Sequence, residues 1–124
     1  MMVKTYEELL DTFIAACMMR KDVDYADKAS VRRYNKGMDI CRQMVAKLAS
    51  DYPGHTERFS VLLKSEDDVI AHMCAFCMLD LLALPSQIEI EALSVVKKYF
   101  ETEEPFISFE EWLEDWKKQR PQVK

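Results

Sequence analysis

One stretch of the chain restricts its fold more than any other. Between Glu66 and Leu82, Val69, Ile70, Met73, Cys74, Phe76, Cys77, Met78, Leu79, Leu81 and Leu82 leave almost no polar side to a helix. A helix that is apolar nearly all round must be covered on several sides, so this segment is predicted to be central in an all-helical bundle. Ser65 is the expected cap, Asp67 and Asp68 complement the positive end of the helix dipole, and Pro85 ends the segment. The apolar run is interrupted by His72 and Asp80 and is too short to cross a bilayer.

The remaining segments read as helices that could provide that cover. Thr5-Tyr6-Glu7-Glu8 has the form of a capping box, followed by Tyr6, Leu9, Leu10, Phe13, Ile14 and Cys17 at helical spacing to about Arg20. A long second helix, capped by Asp22 or Asp24, runs to about Ser50 with Ala26, Ala29, Tyr34, Gly37, Cys41, Met44, Val45 and Leu48 on one stripe. Gly37 inside it reflects either a close backbone crossing or simple tolerance. Asp51-Tyr52-Pro53-Gly54 is a break, and a short helix over 56–64 buries Phe59, Leu62 and Leu63. Ser86 opens a fifth helix, and Ser108 with Glu111 opens a sixth carrying Phe109, Trp112, Leu113 and Trp116. The chain has only 2 Gly and 4 Pro, too few for the frequent turns of an all-β fold. The expectation is one all-α domain over residues 1–124, a compact bundle of about six helices. At this length a core closes without disulfides or metal.

Charge narrows the function classes. A net charge of −5 argues against sequence-independent nucleic-acid binding and against docking on an anionic membrane. The first residues lack the apolar core of a signal peptide, which leads to the expectation of a cytoplasmic protein with Cys17, Cys41, Cys74 and Cys77 reduced. Lys28, Arg32, Arg33, Lys36, Arg42 and Lys47 make the second helix basic. Glu101, Glu103, Glu104, Glu110, Glu111, Glu114 and Asp115 make the C-terminal part acidic. Two solvated faces attracting each other across the fold would explain this; so would an acidic docking surface for a basic partner.

Leu62-Leu63-Lys64-Ser65-Glu66-Asp67-Asp68-Val69, running into Cys74-Ala75, resembles one HEAT-type helical hairpin, with Ile70 where that repeat carries a basic residue. Together with Arg33-Tyr34-Asn35-Lys36, Glu91-Ala92-Leu93 with Val96, and Ser108-Phe109-Glu110-Glu111-Trp112, the chain resembles a family of small bacterial HEAT-like domains over roughly residues 30–118. Several immunity proteins that neutralise polymorphic toxins look like domains of this kind. The resemblance implies helix packing and, by analogy of fold, a protein-binding role.

Chemistry-bearing residues are sparse. Cys74-Ala75-Phe76-Cys77 has C-x-x-C spacing but lies inside the apolar helix, away from the exposed helix start a redox pair needs, and reads as core. Zinc would need further ligands beside His72, and Glu66-Asp67-Asp68 reads as a charged helix start rather than a calcium loop. His55 is expected in a solvated turn and His72 at a partly exposed gap. The Phe109, Trp112, Leu113, Trp116 stripe is expected to dock the last helix. No catalytic residue, metal or cofactor is expected. The expected function is non-enzymatic protein binding, most concretely an immunity protein for a basic toxin domain, with Glu103, Glu104, Glu110, Glu111, Glu114 and Asp115 as the partner-binding residues. A scaffolding homo-oligomer is the alternative. An enzyme or small-ligand binder ranks behind both, because no polar groups converge within the apolar segments.

Overall fold

A computed structural model describes residues 3–103 and 105–120, and these contain six α-helices and no strand. Helix α1 (Tyr6–Met18) begins as the local sequence demands: the Thr5 hydroxyl accepts the Glu8 N–H at 3.1 Å. The Glu8 carboxylate closes the motif on the Lys4 N–H at 3.0 Å, one residue earlier than in the standard box.

Helix α2 (Lys28–Asp51) starts later than the sequence suggests, because its cap is Asp27 rather than Asp22 or Asp24. Asp22 sits in the left-handed region at φ 57°, and the Asp24 side chain is used in a turn, accepting the Ala26 N–H. Asp27 is therefore the first acid free to take a helical N–H, that of Ala29. Ala26 falls outside the helix, and Ala26 and Ala29 are exposed.

After Tyr52 the chain turns through a 3-10 segment (Pro53–His55) into the short α3 (Thr56–Phe59) and a second 3-10 segment (Ser60–Lys64). Helix α4 spans Asp68–Leu81. Its cap is Asp67, not Ser65: the Ser65 hydroxyl accepts the Asp67 N–H, and the Asp67 carboxylate takes the N–H groups of Val69 and Ile70. A carboxylate is the better acceptor at a helix start, and Lys21 also holds Asp67 by an ion pair. Helix α5 (Ser86–Thr102) follows with Pro85 at its cap position, so no side chain caps it. Helix α6 (Phe109–Gln119) is capped by Ser108, which accepts the Glu111 N–H.

The apolar helix is central. α4 packs against α1, α2, α5 and the Ser60–Lys64 segment. Leu9, Phe13, Cys17, Cys41, Met44, Leu48, Phe59 and Val96 are fully enclosed around its own Cys74 and Met78, which are enclosed as well. Each large side chain so buried contributes roughly 1.5–3 kcal/mol relative to exposure. Phe13 meets Phe59 edge to face at 5.0 Å. The α1–α2 pair crosses at Gly37, where a Cβ would stand 2.6 Å from the Ala16 carbonyl oxygen, so a close backbone approach accounts for this glycine. Trp116 is the buried residue of α6, and its indole N–H donates to the Leu79 carbonyl of α4 at 3.0 Å. Phe109, Trp112 and Leu113 are half-buried along the same face. No helix among the described residues is long and apolar enough to cross a membrane.

Candidate binding groove between two helices

One side of α4 borders an opening between α2 and α5. Val69, His72, Met73, Phe76, Cys77 and Asp80 recur every three or four residues, which is one stripe of a helix. That stripe is the floor of a groove. Tyr34, Met38 and Arg42, four residues apart on α2, supply one wall, and Arg20 joins them from just beyond α1. Tyr99 and Glu103, at the end of α5, supply the other. The cavity measures about 460 Å³, within the usual range for a small-molecule site.

Aromatic rings shape its interior. Tyr99 is edge-on to both His72, at 5.0 Å, and Phe76, at 5.2 Å. Burial is the main reason His72 sits below the usual histidine range, and it favours the neutral ring. Burial likewise pushes the Tyr99 phenol up. Two cations reach the groove in different states. Arg42 donates to the Asp80 carboxylate at 3.1 Å and is neutralised there. Arg20 donates Nη2 to the Tyr34 hydroxyl at 2.7 Å, with its guanidinium 4.8 Å from the Tyr34 ring centre. Its Nε is enclosed and meets no acceptor, and Arg20 makes no ion pair among the described residues. Neither His72 nor His55 is hydrogen-bonded through its ring to a hydroxyl, thiol or carboxylate among the described residues. The groove is thus equipped to hold and orient a guest.

The acidic residues singled out from sequence do not form one site. Glu103, Glu110, Glu111, Glu114 and Asp115 are all exposed, and Glu104 lies outside the described residues. Glu103 stands at the groove, Asp115 borders a cleft with Arg42, Trp116 and Arg120, and Glu110 borders a depression with Lys97 and Phe106. None of these five makes an ion pair among the described residues, and none of the ion pairs found joins α2 to the segment 101–115. The basic helix spends its paired cations on Asp80 and Asp51 instead.

The four thiols are buried and unbridged. The two thiols in contact are not those of the C-x-x-C but Cys17 and Cys41, whose sulfurs lie 3.8 Å apart between α1 and α2. Cys74 faces the Met78 sulfur at 3.5 Å, and burial pushes the Cys77 thiol up to about 12. Among the described residues no three His, Cys, Asp or Glu side chains gather as a metal site would require. His55 is half-buried rather than solvated, because its ring stacks on Tyr6 at 4.5 Å.

Sequence reasoning missed Arg20, Tyr34 and Tyr99 as neighbours of His72, since they come from three different segments, none of them α4. The one local signal was the interruption of an apolar helix by His72 and Asp80 on the same stripe. No protein family, curated protein or solved structure matches the chain.

Proposed function

We propose that this protein is a non-enzymatic interaction module that captures a basic protein partner, as an immunity protein captures its toxin. The observation that carries this reading is the state of the acidic segment: Glu103, Glu110, Glu111, Glu114 and Asp115 are exposed and make no ion pair among the described residues, in a fold that also contains a basic helix. Unpaired carboxylates on one run of chain produce a negative field that steers a basic partner and speeds encounter. Glu110, Glu111, Glu114 and Asp115 follow one another on the outer side of α6, whose inner side carries Trp112, Leu113 and Trp116. A cytoplasmic site of action, with four reduced thiols, belongs to this proposal.

The test is stopped-flow association with a basic toxin domain encoded beside this protein's gene, across a salt series. Replacing Glu110, Glu111 and Glu114 with Lys is expected to slow association at low salt by at least about tenfold and to flatten its salt dependence. The dissociation rate changes less. An association rate unaffected by the triple reversal refutes the reading.

A second reading, a homo-oligomeric scaffold, draws on a different observation. Phe106 is fully exposed and Ile107 is also exposed, between α5 and α6. Apolar side chains together on a surface favour association. Sedimentation decides it: a dimer lost on Phe106→Ser would favour the scaffold, and a monomer of the parent protein rejects it.

A further inference from the structure

We propose that the groove between α2 and α5 is a binding site for a small aromatic carboxylate, with Arg20 as the partner of the carboxylate and the rings of Tyr34, Phe76 and Tyr99 around the aromatic body. The site shares Glu103 with the acidic segment but does not depend on the partner proposed for it.

The argument begins with Arg20. A guanidinium withdrawn from water loses solvation that only an anion or several good acceptors restore. Arg20 is half-buried, its Nε is enclosed without an acceptor, and among the described residues the guanidinium makes one hydrogen bond, from Nη2 to the Tyr34 hydroxyl. Tyr34 contributes its ring face as well, which stabilises a cation but does not neutralise it. The other cation of the groove, Arg42, already has the Asp80 carboxylate. Glu103 lines the far wall yet makes no ion pair with Arg20. Among the described residues the groove therefore contains one positive group held in place with no carboxylate upon it. A carboxylate matches a guanidinium in charge and plane, and because Nε is enclosed a guest would meet Arg20 through its Nη hydrogens.

The remaining surface specifies the body of the guest. Tyr99 stands edge-on to Phe76 at 5.2 Å, and Val69, Met38 and Met73 complete an apolar lining. Flat rings meet such a lining through offset and edge contacts worth more than their area alone. His72, kept neutral by burial, adds no second positive charge. The cavity, about 460 Å³, holds a fused two-ring acid with room to spare. A cationic guest is disfavoured by Arg20, and an aliphatic acid leaves the ring contacts unused.

The test is a two-dimensional amide NMR titration of the full chain with 2-naphthoate, 2-naphthalenemethanol, 2-naphthylmethylamine and acetate. The expected result is a saturable shift with 2-naphthoate at amides of α4 and α5 around His72 and Tyr99, with Kd in the millimolar range or tighter, as suits a probe this small. The alcohol, the amine and acetate should each bind at least about tenfold more weakly. Arg20→Gln should weaken 2-naphthoate by about tenfold or more, and Arg20→Lys by less. Absence of a saturable shift with 2-naphthoate at about 10 mM overturns the proposal. So does equal binding of the amine or the alcohol, which compares probes on the parent protein and holds even if an Arg20 variant folds poorly. Unchanged affinity in a folded Arg20→Gln also overturns it.

Discussion

Replacing Gly37 with Ala sets two effects of known sign against each other. Helix propensity alone favours Ala by about 1 kcal/mol in a helix interior. At Gly37 the added Cβ would lie 2.6 Å from the Ala16 carbonyl oxygen and 2.9 Å from the Met19 Cβ. Neither atom is the loose end of a flexible side chain, so α1 and α2 must separate by several tenths of an ångström to accept the methyl group. That separation loosens Cys17 of α1 against Cys41 of α2, both fully enclosed. Overpacking of this kind costs about 1–3 kcal/mol, and the backbone contact puts Gly37 at the upper end. The net expectation is destabilisation by about 1–2 kcal/mol, or a Tm lowered by roughly 3–8 °C. Urea unfolding followed by circular dichroism measures it. Ala46→Gly, at an exposed position on the same helix, calibrates the propensity effect and should cost about 1 kcal/mol. A Gly37→Ala protein more stable than its parent would refute the close-crossing argument, because propensity alone would then govern the position.

Asp67→Ala removes both the α4 cap and the Lys21 ion pair and should cost about 1–2 kcal/mol, while Asp67→Asn keeps a capping oxygen and should cost under about 1 kcal/mol; denaturant midpoints separate them. Trp116→Phe leaves the indole's place on the Leu79 carbonyl unfilled and should cost about 1–2 kcal/mol in the same assay. The thiols should resist Ellman's reagent at pH 8 in folded protein and all four should react in denaturant, since burial holds Cys74 and Cys77 protonated and the Cys17 contact does the same for Cys41; rapid reaction of a folded thiol would contradict the packing. His72, lowered by burial, contributes stability that is fully present above about pH 6.5 and is lost as pH falls through its lowered value, so His72→Phe should flatten the pH dependence of Tm below about pH 6.5.

Local chemistry made the helices legible, and tertiary chemistry made their edges and the groove hard to see. Thr5 and Ser108 cap their helices as their neighbours suggest, because a capping hydroxyl needs only residues three positions away. Asp27 and Asp67 were harder to choose from the acids and hydroxyls beside them. Their selection depends on a left-handed Asp22, a turn at Asp24 and a lysine 46 residues earlier in the chain that holds Asp67. The apolar character of α4 correctly marked it as central, since a helix lacking a polar side must be covered. The same apolar pattern concealed the groove: Val69, Met73 and Phe76 look like core in one dimension, and only the distance between α2 and α5 leaves them lining an opening. Arg20, just beyond α1, gives no local sign that Tyr34 and Tyr99 stand near it.

The attachment of α6 has a consequence for motion. The helix packs on α5 and reaches the centre of the protein chiefly through Trp116, whose indole is fastened to the Leu79 carbonyl, with the Arg120–Glu89 pair at its end. Phe109, Trp112 and Leu113 remain half-open to solvent. An element held this way detaches at a free energy below that of whole-domain unfolding, so its amide hydrogens should exchange sooner than those of α4. A partner that grips the carboxylates of α6 would then slow that exchange across the helix, turning a surface encounter into a change in how often α6 lets go.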